Sequence, residues 1–177
     1  MISRGPTTLA GMRGNNSPTE LSQSGGEALR LVRHGHGARA LRLGLGPDLR
    51  PAQALEQLQH LLNSNAFWAN GRSLADLRQM LKHSAICVTA WEGSRLVGFG
   101  RATSDTIYRG TIWDLVVDAR VVGRGIGRSI LAALLESHAL RRCERIYLMT
   151  TNSAEFYKKM GFETNPSQIL MIKEKSG

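Results

Sequence analysis

Glycine alternates with other residues along Gly123-Arg124-Gly125-Ile126-Gly127-Arg128. Such spacing lets the backbone turn sharply and present bare N–H groups. An apolar helix follows at once, with Ile130, Leu131, Leu134 and Leu135 toward the core. N–H groups gathered at a helix N-terminus, with the helix dipole behind them, make an anion site. Arg124 and Arg128 add formal positive charge, so the expected ligand is a pyrophosphate. Two nucleotide loops fail at named positions. A dinucleotide fingerprint needs G-x-G-x-x-G, and here Arg128 stands where the third glycine belongs. A Walker A loop needs a lysine before the serine, and none precedes Ser129.

Other reactive residue types are sparse. Cys87 lies in an apolar run, and neither it nor Cys143 has a second cysteine or a histidine at metal-ligand spacing, so two reduced thiols and no metal are expected. His34 and His36 form a pair without a third ligand nearby. Asp114 is polar inside an apolar strand pattern. Tyr157 follows Phe156 at the start of a short helical segment.

These residues need a scaffold, and the composition supports one. The 177 residues suffice for one domain, with 42% hydrophobic and 21% charged residues. No run reaches the roughly 20 apolar residues of a membrane helix, and the N-terminus lacks a secretory apolar core. A cytoplasmic protein is expected. The net charge is +9, and arginine supplies 18 of the 23 basic residues. Such a surface favours an anionic partner without choosing among nucleic acid, membrane and polyphosphate.

Residues 1–26 read as a disordered tail, since Gly, Pro, Ser, Thr and Asn make up 16 of the 26. The globular domain is expected over 27–177. Within it, 27–50 is arginine-rich with strand-like runs at Leu29–Arg33 and Ala40–Leu43. Pro51 suits a first helical turn; Leu55, Leu58 and Leu62 continue the period, and Asn63–Asn65 ends it. Ser73 caps a second helix, with Asp76 three residues on. Strands are expected at Ala85–Trp91, Arg95–Ala102 and Thr111–Asp118. Gly98 and Gly100 mark a bulge or a close backbone approach. A further strand spans Arg145–Met149, and a helix begins near Ser153.

The loop Arg120-x-x-Gly123-x-Gly125-Ile126-Gly127 resembles the acetyl-CoA signature of the GNAT superfamily of N-acetyltransferases, and Glu155-Phe156-Tyr157-Lys158-Lys159-Met160-Gly161-Phe162 resembles that superfamily's FYxxxGF segment. The stretches 95–105 and 111–118 are similar to the plastid and cyanobacterial serotonin N-acetyltransferase-like branch, which also holds plastid protein acetyltransferases. The resemblance implies an α+β fold with a central mixed, mostly antiparallel sheet, splayed middle strands and flanking helices. It implies direct acetyl transfer from acetyl-CoA to a primary amine. The acceptor it implies is an arylalkylamine such as serotonin, or a polyamine or protein amine.

On that resemblance, N–H groups from Gly123 to Arg128, including Arg124, Gly125, Ile126 and Gly127, cradle the pyrophosphate. Backbone atoms of Leu115, Val116 and Val117 hold the pantetheine and acetyl carbonyl, while their side chains read equally as core. Tyr157 is the candidate acid for the departing thiolate, because a phenol is protonated at neutral pH; the alternative is a packed core ring. Asn152 contacts the pantetheine arm or caps the helix. Asp114 is the candidate amine base, or a strand aspartate paired with an arginine. The relatives' second acid before the FY segment is replaced by Met149-Thr150-Thr151-Asn152. Trp113, Tyr108 and Phe99 are the aromatics available for an acceptor pocket. Expected partners are acetyl-CoA and an amine, with a homodimer left open and no membrane. The rival class is a nucleic-acid- or ribosome-associated binder, which rests on the charge and on residues 27–50. It lacks interleaved aromatic and basic residues. A CoA-binding regulator without activity is a third class.

Overall fold

Leu55, Leu58, Leu61 and Leu62 recur at helical spacing, and the computed structural model, which describes residues 19–21, 28–35 and 53–174, buries all four on helix α1 (Ala54–Asn65). Pro51 and the run Ala40–Leu43 lie outside the described residues. Ser73 caps α2 (Leu74–Lys82) as its sequence position predicts, its Oγ accepting the Asp76 N–H at 3.1 Å. Leu77 and Leu81 then face the same core as α1.

Among the described residues, six strands form one sheet in the order β1 to β6: Thr19–Leu21, Leu29–His34, Ile86–Glu92, Arg95–Ser104, Arg109–Val117 and Arg145–Tyr147. Neighbours pair antiparallel except β5 with β6, which are parallel. β1 places three residues of the expected tail at the sheet edge, paired with β2; the rest of 1–26 lies outside the described residues. The expected mixed, mostly antiparallel α+β architecture is what the chain forms.

Each sheet face carries its own core. Cys87, Trp91, Phe99 and Val116 pack under α1 and α2. Val88, Ala90, Ala102 and Ile112 pack under α3 (Ile126–Leu135), with Ile130, Leu131 and Leu134 fully buried. Burying a side chain of this size contributes about 1.5–3 kcal/mol. Gly98 and Gly100 serve this layer by close approach. A Cβ on either would lie 2.7 or 2.8 Å from Ile130 side-chain atoms, so their bare backbone lets α3 settle onto β4. The sheet therefore sets where the N-terminus of α3 ends up.

The chain closes with α4 (Ala154–Lys158), whose Phe156 and Tyr157 join the α3-side core in part. Beyond Phe162 the described residues form no helix or strand, and Ile169 to Ile172 are exposed.

Candidate active site

Strand β5 changes partners along its length. Its first three residues pair with β6, Arg109 with Arg145, Gly110 with Ile146 and Thr111 with Tyr147. From Ile112 onward no pairing with β6 continues, although β5 runs to Val117. The edge that carries Leu115 and Val117 thus has no strand partner on that side among the described residues. On its other side β5 stays on β4, where Arg101 pairs with Trp113 and Phe99 with Val116. Asp114 and Leu115 together oppose Gly100, which is a β-bulge. Asp114 carries the turn, with φ of 51°. Aspartate tolerates this left-handed region better than most residues.

The bulge aims the Asp114 carboxylate at the α1–α2 side. Arg72 donates to both oxygens at 3.0 and 3.2 Å, and Arg101 donates through Nε at 2.7 Å. The Asp114 side chain is 5% exposed. Burial opposes its ionisation, but the hydrogen bonds and charges of the two guanidiniums outweigh that, so the carboxyl sits below its ordinary range. A carboxylate held this way is a poor proton acceptor. Of the two roles the sequence left open for Asp114, the geometry is that of the arginine-paired strand residue. Arg72 and Arg101 were not singled out from sequence. The one available signal was that an acid in an apolar strand requires a cation, and 18 arginines offered no choice.

Past β5, Asp118 accepts from the N–H and guanidinium of Arg120, which lowers its pKa to about 2. Asn65, the last residue of α1, accepts the Ala119 N–H at 2.9 Å and ties this turn to the first helix. The glycine loop follows. Gly123 and Gly125 have φ of 88° and 78°, and a Cβ on either would meet nothing within 4 Å. Left-handed geometry is therefore what requires glycine there, with crowding absent. Gly125 is the N-cap of α3, so the first N–H groups of that helix, at Ile126, Gly127 and Arg128, lack intrahelical acceptors. Ile126 itself is buried, so its contribution is through its backbone. Arg128 is exposed. Arg124 is ion-paired with Glu92 of β3, which also holds Arg95. Sequence reasoning missed Glu92.

Tyr157 of α4 is half-buried on the α3 side of the sheet, between Phe156 and Phe162, whose ring centroids lie 5.0 and 6.0 Å away. Burial pushes its phenol above the ordinary value, so it stays protonated. Asn152 is exposed, and its Oδ1 accepts from Ser153 Oγ at 3.2 Å. Among the described residues it makes no capping bond to α4. Leu115 and Val117 are half-buried beside α3, while Val116 is buried on the opposite face. Of the three aromatics, Phe99 is sealed in the core and offers no pocket wall. Trp113 is half-buried, with its Nε1 donating to Thr103 Oγ1 at 2.9 Å. Tyr108 is exposed.

Residues 55–162, which hold the parted end of β5, the left-handed glycine loop and Tyr157, match the acetyltransferase (GNAT) family. The chain belongs to that family. The protein called histone acetyltransferase TAP1 in Glycine max is 38% identical over 79 residues, covering 44% of this chain and 34% of that one. The N-acetyltransferase ycf52 of Porphyra purpurea is 32% identical over 120 residues, covering 65% of this chain and 68% of its own. This GNAT chain thus spans about a third of the soybean relative and about two thirds of the algal one. A GNAT-family crystal structure from Xanthomonas campestris shares the fold, with TM-score 0.61 and 24% identity over 71% of this chain and 90% of that one. No helix among the described residues is long and apolar enough to cross a membrane.

Proposed function

We propose that this GNAT domain transfers an acetyl group directly from acetyl-CoA to a primary amine. The observation that carries the reading is the end of β5–β6 pairing beyond Thr111, together with a glycine loop opening a helix whose first N–H groups have no acceptor among the described residues. In the proposed reaction the N–H groups from Gly123 to Arg128 bind the pyrophosphate of acetyl-CoA. Backbone groups of Leu115 to Val117 hold the pantetheine and polarise the thioester carbonyl. Asn152 is placed at the pantetheine arm. Arg124 moves from Glu92 to a phosphate.

The neutral amine attacks the thioester carbon, the C–S bond breaks, and Tyr157 gives its proton to the departing thiolate. Its protonated state and its half-buried position in the α3-side core support that role. Asp114 holds the bulge, and water takes the amine proton. Trp113 supports an aromatic acceptor, of which serotonin is one case. The decisive experiment mixes the protein with acetyl-CoA and a panel of arylalkylamines, polyamines and peptides. Free CoA release and acetylated product in equal amounts are expected with at least one amine. Tight acetyl-CoA binding with no transfer to any amine class would leave the CoA-binding regulator as the function.

A further inference from the structure

We propose that Arg101 anchors a carboxylate on the acceptor, so that the preferred substrates are amines that also carry an acid group. This inference rests on the acetyl-transfer reading for its biological use, but the anion site itself is tested separately below.

Arg101 is a constrained guanidinium with unspent donors. Its Nε is committed to Asp114 at 2.7 Å, and its Cζ lies over the Trp113 ring, 5.7 Å from the centroid. Neither Nη donates to any acceptor among the described residues. Both nevertheless reach solvent, because the one buried side-chain nitrogen or oxygen without a partner among the described residues is His34 Nδ1. The side chain as a whole is 14% exposed. A guanidinium held by its Nε, backed by an indole and open at its Nη edge is set to grip a planar anion through two parallel bonds.

The place matters as much as the group. Arg101 pairs with Trp113, the residue before the bulge, and touches Asp114, the residue before Leu115. It therefore stands next to the strand segment assigned to the thioester, on the sheet face opposite α3 and its phosphate loop. Arg72 closes the other side of Asp114 and is 30% exposed. Two guanidiniums against one carboxylate leave a positive excess there. That excess disfavours a polyamine and favours an acceptor whose own negative charge completes the cluster. Trp113 adds an apolar wall, which suits an aromatic amino acid.

The test uses pairs that share a skeleton, tryptophan with tryptamine and lysine with cadaverine, with spermidine as the polycation. In the transfer assay the carboxylated member of each pair should show about 10- to 100-fold higher kcat/KM, the range of a good charge-assisted pair. Spermidine should be poorest. Arg101→Lys keeps a cation for Asp114 and loses the fork, so the folded variant should bring each pair within about threefold. Binding is measured in parallel by titrating N-acetyltryptophan and N-acetyltryptamine into the CoA-bound protein, which needs no turnover. Tighter binding of N-acetyltryptophan, lost in Arg101→Lys, supports the anion site even if no amine is acetylated, and then the transfer reading alone fails. Acetylation of both members at equal rates, or a carboxylate preference that survives in folded Arg101→Lys, overturns the anchor while leaving the transferase intact.

Discussion

Asp114→Asn separates a base from a clamp. Asparagine keeps the shape of the side chain and also tolerates the left-handed φ of 51°, so the backbone is not the variable. What changes is the charge. Three hydrogen bonds from two guanidiniums now converge on a neutral amide, one end of which is itself a donor and must face an arginine. The site is largely shielded, with the side chain 5% exposed, so screening by water rescues little. Removing one partner of a buried ion pair costs about 3–5 kcal/mol. Arg72 retains 30% exposure and can turn to solvent, so the lower end, about 3 kcal/mol, applies. For a domain of this size each kcal/mol is worth roughly 2–4 °C, and Tm should fall by about 6–12 °C. The assay is thermal unfolding by circular dichroism at pH 7, alongside the pH–rate profile at a temperature where the variant is folded. A clamp predicts a lower rate with an unchanged profile shape. An unchanged Tm together with a rate defect that deepens toward low pH would refute the reasoning and make Asp114 the base.

Tyr157→Phe keeps the ring contacts with Phe156 and Phe162 and removes the hydroxyl. Turnover should fall by about 10²–10⁴-fold with acetyl-CoA affinity nearly constant; an unchanged single-turnover rate would reduce the residue to packing. Because burial raises the phenol's pKa, the wild-type rate should hold through the ordinary tyrosine range near ~10 before falling. Gly125→Ala meets no neighbour but forces a Cβ residue to φ of 78°, a strain of about 1–2 kcal/mol. Calorimetry should show acetyl-CoA binding weakened about tenfold in a folded variant, and wild-type affinity would remove the cradle. His34 is buried and its pKa is lowered by that burial to about 4 from 6.5. The unfolded chain therefore binds this proton more readily, and stability is complete above about pH 6.5 and lost as pH falls toward 4. The loss is on the order of 3 kcal/mol, read by urea unfolding at pH 7 and 4.5, and His34→Leu should flatten the difference.

Local signals in the chain account for most of the scaffold. The leucine period of α1, the Ser73 cap and the β-rich runs of β3 and β4 each depend on residues a few positions apart, and each yields the expected element, with β3 and β4 within two residues of the expected bounds. The glycine loop was legible for the same reason, since left-handed φ and helix N-terminal N–H groups are properties of the local backbone. The tertiary structure decided how the side chains are committed. Asp114 meets Arg72 from 42 residues away, and Arg124 meets Glu92 from 32 away. Phe99 and Trp113 are both strand aromatics in sequence, but one is sealed and the other half-buried. Spacing along a chain says which residues share a face of one element. It does not say which of 18 arginines another element will bring within 3 Å of an acid, because an ion pair is selected by three-dimensional proximity and the cost of burying a charge alone.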